Sequence, residues 1–254
     1  MASYDIIGNI AIIKPDNKTK KEKLQEAKKL LSQPSIKTVL EKATDVKGRL
    51  RIFKTKFIAG KKNLIAIYHE NKCIFKFNVE KCYFSSRLGN DRKEIAKKIK
   101  KSDSVLVMFA GVGPYPIVFY KIAKPKHITT IEFGKECNKF LKENIKLNKI
   151  PELAITQIQG DVKTKIPKEK FDVIMMARPN LKESFLSYAL KVSKKGTRIF
   201  YHAFCRDNDL PLIKEKLINE AKIMKKSLKF NKIVKAGEIA PYKFRYRLEM
   251  KVTK

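Results

Sequence analysis

Apolar positions follow two different rhythms along the chain, and the change between them divides it. Over the first ninety residues the rhythm is irregular. Residues 5–13, DIIGNIAII, are rich in β-branched side chains around Gly8 and predict a strand. Residues 18–32 predict a helix, because Leu24, Ala27, Leu30 and Leu31 fall at i, i+3, i+6 and i+7 on a lysine-rich background. Short strands are predicted in SIKTVLEKA, GRLRIFKTKFIAG, NLIAIYHEN and CIFKFNV, with the clearest alternation over 74–79. These elements make a small α+β domain, placed at residues 1–95.

The second rhythm, over residues 96–254, is a regular alternation. A lysine-rich helix at 91–101 leads into it. Strands are predicted at 104–113, 127–133, 153–161, 171–177 and 197–204, and helices at 114–123, 135–148 and 181–194. Such alternation predicts a parallel sheet with both faces covered. A helix at 208–225 follows, then KFNKIVKAGE and KFRYRLEMKV with no helix between them, which predicts an antiparallel strand at the sheet edge. The expected fold class is therefore α/β, and seven strands in that order resemble the pattern of the Rossmann-like class I methyltransferase domain, here behind a small N-terminal α+β domain.

Composition narrows the partners. The chain carries 58 Lys and Arg, 49 and 9 respectively, against 25 acids, a net charge of +33. A polyanionic partner follows, nucleic acid ahead of an anionic membrane. Adaptation to heat alone would raise Glu together with Lys, and here the acids have not kept pace. With 43% hydrophobic residues the chain is not disordered as a whole. No apolar run of about 18 residues predicts a membrane span. No secretory signal is visible at the N-terminus. Cys73, Cys82, Cys137 and Cys205 lack C-x-x-C spacing, which argues against a zinc ribbon or a disulfide scaffold and predicts reduced thiols in a cytoplasmic protein. His69, His127 and His202 are isolated, so no metal site is expected, and His202 reads as a satisfied core histidine.

Three pieces of candidate chemistry lie at the ends of successive predicted strands. VLVMFAGVGP (105–114) is a buried strand running into a glycine-rich turn and a helix, where Gly111 and Gly113 let the backbone approach a ligand. The pattern G-V-G-P has no third glycine, and Pro114 removes an N–H where a pyrophosphate needs donors. Both features favour a smaller, less anionic cofactor than a dinucleotide. Glu132, beside Phe133, can accept both hydroxyls of a ribose. Asp161, beside Val162, can reach an adenine amino group. Together and in this order the three pieces predict S-adenosyl-L-methionine.

Four segments extend the reading to a family. They are YFSSRLGNDR (83–92), MFAGVGPY (108–115), LKENIKLNK (141–149) and Ala240-Pro241-Tyr242. With the opening DIIGNIAII they resemble the archaeal and eukaryotic tRNA (guanine-37-N1)-methyltransferases and their wybutosine-pathway relatives. The resemblance covers nearly the whole chain. It implies methyl transfer from S-adenosylmethionine to N1 of the guanosine 3′ of the anticodon, in the anticodon stem-loop of tRNA. It also implies cofactor contacts from Ser85, Arg92, Phe109, Ala110, Gly111, Gly113, Pro114, Glu132, Phe133, Asp161 and Val162, with Arg87 as the donor to guanine O6. Departures are Val107, Ser86 and Asp91, where the family has Asp, Pro and Glu. The family's Asn-Leu-Pro is replaced within Met176-Ala177-Arg178-Pro179-Asn180; Pro179 matches its proline, and Asn180 is the displaced candidate for its asparagine. The chain opens on the family's second module, so a monomer lacking the module that grips the tRNA elbow is expected. Two alternatives are an aminocarboxypropyl transferase acting on the same tRNA position and an RNA-binding protein on an inactive scaffold.

Lysine contacts to phosphate release counterions. RNA affinity is therefore expected to fall by about 10³-fold or more between 50 and 200 mM salt if six or more phosphates are neutralised. Filter binding of tRNA across that range measures the slope, and a flat response removes the electrostatic account.

Overall fold

The computed structural model describes residues 4–45 and 48–254. Residues 5–13, predicted as one strand, form a hairpin of β1 (Tyr4–Ile7) and β2 (Ile10–Ile13). Gly8 and Asn9 make the turn. A Cβ on Gly8, at φ +58°, would lie 1.9 Å from the Ile67 carbonyl oxygen, so only glycine fits. Asn9 then accepts from the Ile67 N–H at 2.7 Å and pins the turn to the next hairpin. Helix α1 (Lys20–Leu31) starts at a capping box, in which Thr19 and Glu22 satisfy each other's N–H groups. It carries the chain to β3 (Thr38–Lys42), parallel to β2, and β4 (Thr55–Gly60) closes a sheet in the order β1-β2-β3-β4. Ala27 and Leu30 bury against Ile13, Ile36 and Val39. Leu24, predicted on the buried face, is 41% exposed, because the apolar contact of α1 with the sheet runs through Ala27, Leu30 and Leu31.

A second hairpin, β5 (Ile65–Glu70) and β6 (Cys73–Asn78), precedes the short helix α2 (Gly89–Ala96), which starts and ends earlier than the predicted 91–101. The alternation then runs β7 (Ser104–Met108), α3 (Pro114–Ala123), β8 (His127–Glu132), α4 (Lys135–Leu147) and β9 (Ile155–Gln159). It continues through α5 (Val162–Lys165), β10 (Phe171–Met176), α6 (Leu186–Lys191), β11 (Ser193–Cys205), α7 (Leu210–Ile223), β12 (Leu228–Ala240) and β13 (Lys243–Val252). The sheet order is β12-β13-β11-β10-β7-β8-β9, with β7 to β11 parallel. The antiparallel strand is not at the edge as predicted. β13 inserts between β11 and β12, and β12 is the edge. The chain runs outward from β7 to β9 and returns to β10 on β7's other side. That reversal opens a crevice at the strands' C-terminal ends.

Two further expectations are corrected. The predicted helix 181–194 shrinks to the six residues of α6, because Arg178 holds 179–183 as a loop, donating from Nη1 to the carbonyls of Pro179, Leu181 and Glu183. The four thiols are not all free: Cys82 and Cys137 form a disulfide with Cα atoms 5.4 Å apart, and Cys73 and Cys205 are free and buried. Packing of α4 on the segment after β6 brings together two cysteines 55 residues apart in sequence.

Helix α4 makes a substitute strand for β6. Asn144 accepts from the Lys76 N–H at 2.8 Å and donates to the Lys76 carbonyl at 3.1 Å. Asn148, one turn on, does the same for Ile74 at 2.9 and 2.6 Å. Residues i and i+4 share a helix face, so two asparagines satisfy two alternate residues of an open strand edge. Asn144 also donates to the Val112 carbonyl at 2.9 Å, tying the same staple to the glycine-rich turn. One apolar core runs from Ile12 and Leu40 through Phe75, Phe77 and Phe84 to Val107, Phe119 and Phe140.

Asn144→Ala leaves these buried groups unpaired and is expected to cost about 2–4 kcal/mol, summed over at least two of them. Urea denaturation measures it, and a change within about 0.5 kcal/mol, the range of an ordinary surface substitution, shows that the staple is dispensable.

Candidate functional site

A cleft of about 950 Å³, open solvent at its mouth included, lies at the crevice beside β7, β8 and β10. Its floor is the turn after β7. Phe109 takes φ +62°, a strained conformation for an aromatic residue and one that recurs at functional sites. Gly113, at φ +93°, caps α3, and a Cβ there would lie 2.4 Å from the Leu141 side chain. Pro114 begins α3, where its missing N–H costs nothing.

The turn delivers the Gly111 N–H to Glu132 at 2.7 Å, and Glu132 also accepts from the Gly134 N–H at 2.6 Å. Burial raises the Glu132 pKa despite those bonds. Phe109, Ala110, Gly111, Pro114, Glu132 and Phe133 all line the cleft. Gly113 packs behind it against α4. Asp161 stands one layer back: it caps α5 and grips both Nη atoms of Arg49 at 2.8 and 3.0 Å, with Val162 buried beneath. Arg49 lines the cleft and lies over the Phe133 ring, 4.7 Å from its centroid.

The opposite wall comes from 83–92 and from β10, β11 and β13. Ser85 and Arg92 line it. Arg92 is buried, and Glu70 takes its Nε and Nη2, both at 2.5 Å. Arg87 is exposed in an adjoining groove, 3.0 Å from Asp5. Asn180 is exposed, whereas Ala177, Arg178 and Pro179 line the cleft. Ala177 and Arg178 thus stand where the resemblance expects Asn-Leu.

Sequence reading missed how buried polar groups converge here. Asp91 accepts from Tyr115 at 2.8 Å, from His202 Nε2 at 3.1 Å and from Arg247 at 2.5 Å. Burial alone would raise the Asp91 pKa, but the bond from His202, the Arg247 charge and the Tyr115 bond outweigh it and hold the carboxyl well below the usual range. Burial lowers the His202 pKa, against the smaller pull of Asp91. His202 is therefore the satisfied buried histidine the sequence predicts, and it also lines the cleft. Five of the chain's nine arginines line it too: Arg49, Arg51, Arg92, Arg178 and Arg245. Arginine kept at nine positions in a chain with 49 lysines is the signal that could have found them.

Residues 66–234 match the family model of the TRM5/TYW2 methyltransferase domain, and residues 1–63 match that of the TYW2 N-terminal domain. The chain belongs to the TRM5/TYW2 family. Among curated relatives, the tRNA (guanine(37)-N(1))-methyltransferase Trm5b of Methanocaldococcus jannaschii is 32% identical, over 99% of this chain and 71% of that protein. The tRNA(Phe) (4-demethylwyosine(37)-C(7)) aminocarboxypropyltransferase of the same organism is 29% identical, over 78% of this chain and 77% of that protein. Among solved structures, Trm5b of Pyrococcus abyssi superposes with a TM-score of 0.88 at 29% identity, covering 99% of this chain and 75% of that one. A complex of aTrm5 with tRNALeu superposes with a TM-score of 0.87 at 28% identity, covering 99% and 72%. In this chain Glu132, the turn after β7 and five arginines line one crevice.

His202 sets a pH dependence. Its folded pKa lies below the ordinary 6.5, so below that pH the unfolded chain binds more protons and stability falls as pH drops. Asp91, lowered from 3.8, loses its contribution only below about pH 4, outside that window. Urea midpoints should therefore fall between pH 7 and pH 5, and His202→Asn should flatten the slope. An equal slope in both proteins excludes His202 as the source.

Proposed function

We propose that this TRM5/TYW2 chain is an S-adenosylmethionine-dependent tRNA methyltransferase acting on N1 of the guanosine 3′ of the anticodon. The observation that carries the reading is the crevice itself. A buried carboxylate for ribose hydroxyls and a glycine turn for close approach stand on one side. Cationic and hydrogen-bonding side chains for a base stand on the other. Glu132 fits the ribose, the 45%-exposed Phe133 ring fits the adenine, and Phe109, Ala110, Gly111 and Pro114 fit the rest of the cofactor. The bound cofactor supplies a methyl group on a sulfonium, an electrophile that needs positioning more than activation.

The protein's own work is on the acceptor. Guanine N1 must lose its proton. Neutral His202 lines the cleft and, donating through Nε2 to Asp91, keeps a lone pair on its other ring nitrogen; it is the proton acceptor of this reading. Arg178 at the end of β10 meets the charge left on the base. Flipping a base from an anticodon loop costs less than from a duplex, which supports a loop substrate. Arg87 and Asn180, outside the cleft, belong on this reading to the RNA-facing rim, and residues 1–95 position the RNA. The protein works as a cytoplasmic monomer.

A second reading, aminocarboxypropyl transfer to the same nucleotide, is favoured by one observation: residues 1–63 match the TYW2 N-terminal domain. The two reactions move different carbons of one cofactor. S-adenosylmethionine labelled separately on the methyl and carboxyl groups, with tRNA transcript as acceptor, separates them. Methyl label in the RNA is expected. Carboxyl label supports the second reading, and label from neither leaves an RNA-binding protein.

A further inference from the structure

The cleft shares its far wall with the adjoining groove, and Arg51, Tyr83 and Arg245 line both. Arg51 stacks on the Tyr83 ring, its guanidinium carbon 4.1 Å from the centroid. Arg245 donates from Nη2 to the Tyr83 hydroxyl at 3.4 Å. The two cations thus flank one tyrosine at the junction. Arg245 is only 5% exposed, its Nε has no hydrogen-bond partner, and neither arginine is in an ion pair among the described residues. Burial lowers the Arg51 pKa; Tyr83 opposes this and the like charge of Arg245 adds to it. Around Tyr83, burial pulls upward, but Arg245 and Arg51 outweigh it and lower that pKa.

Buried cations without a counter-charge are costly, and an arriving anion relieves the cost. A guanidinium fork held on a strand is pre-shaped for two oxygens of one oxyanion. Arg245 sits on β13, opposite Phe204 of β11, whose ring it overlies at 5.2 Å. The groove leading to the junction carries Lys14, Lys42 and Arg87 against Asp5 and Glu238, a net positive path. We propose that Arg245, with Arg51 across Tyr83, is the receptor for a backbone phosphodiester of the nucleotide that enters the cleft. The groove is the track of the RNA strand and the junction is where its target nucleotide turns inward. This rests on the RNA-substrate reading above, but it assigns a site that methyl or aminocarboxypropyl transfer alone does not require. The competing source of an oxyanion is the carboxylate of the cofactor's methionine end.

The test reads binding and needs no turnover. Anticodon stem-loop RNAs are made with a single neutral methylphosphonate linkage, either 5′ or 3′ of the target guanosine. Each is titrated against the wild-type chain, Arg245→Gln and Arg245→Lys, with S-adenosylmethionine affinity measured in parallel by calorimetry. One neutral linkage is expected to weaken wild-type binding by about tenfold or more, the size of a hydrogen bond to a charged group. The same linkage should cost Arg245→Gln nothing further, and Arg245→Lys, a point charge without the fork, should fall between. Cofactor affinity should hold in all three. Wild-type binding that ignores both neutral linkages, which needs no variant to fold, overturns the proposal. An undiminished penalty in Arg245→Gln also overturns it, as does loss of cofactor affinity with RNA affinity intact, which assigns the site to the methionine carboxylate. Absence of methyl transfer with the expected binding pattern would refute the reaction and leave the phosphate site standing.

Discussion

The cleft is assembled around one buried cation, Arg247. It projects from β13, almost at the end of the chain, and is 1% exposed. Its fork reaches Asp91 at 2.5 Å, Glu94 at 2.9 Å and Glu249 at 3.0 Å. Two of those acids lie on α2, which follows the segment that forms the substrate-side wall. Removing one partner from such a pair costs roughly 3–5 kcal/mol, because the other charge is left buried and alone. The second oxygen of Asp91 then takes Tyr115 from α3 and His202 from β11. One carboxylate therefore fixes α2, α3, β11 and β13 relative to one another, and the wall from Ser85 to Arg92 cannot shift without breaking it.

Positive charge is used in two distinct ways. Lysine is a compact, strongly hydrated charge on a flexible stem, suited to a diffuse surface attraction that salt screens. Arginine presents a planar fork that keeps its charge when desolvated. The chain has 49 lysines and 9 arginines, and more than half of the arginines converge on the cleft. Attraction of a polyanion and orientation of one nucleotide are thus carried by different residue types, and should respond differently to salt.

Much of the architecture was legible because it rests on local signals. Helix α3 begins at Pro114 and ends at Ala123, the range that the strand–helix alternation predicts. The G-V-G-P turn and Glu132 meet at 2.7 Å because consecutive parallel strands end side by side. What failed depends on distance in sequence or on one side chain overruling a pattern. Residues 181–185 carry helix-compatible residues, yet Arg178 Nη1 claims the carbonyls of Pro179, Leu181 and Glu183 and holds the segment as a loop. The Cys82–Cys137 disulfide and the grip of Asp161 on Arg49 join residues 55 and 112 positions apart, for which periodicity has no signal. Glycine and asparagine at 8 and 9 were a turn signal, and β-branched neighbours masked it.

The altered Asn-Leu-Pro segment admits two physical accounts, decay or a different use of the same place. Decay relaxes constraints, and a relaxed site satisfies its polar groups or exposes them. Three buried side-chain polar atoms lack a partner among the described residues: Asn138 Oδ1, Arg178 Nε and Arg245 Nε. Two of the three belong to residues that line the cleft, and one of those, Arg178, lies inside the altered segment. Each unpaired group costs about 1–3 kcal/mol, a sizeable part of a total stability of about 5–15 kcal/mol. Arg178 is also held in place by carbonyls at 2.9, 3.0 and 3.1 Å, so its orientation is fixed while its Nε stays unmet. Fixed, buried and unpaired donors on two residues that line one cavity are what a pre-organised site looks like before its ligand arrives. On that physical ground the segment is read as rebuilt around an arginine, with the site still demanding a ligand rich in acceptors.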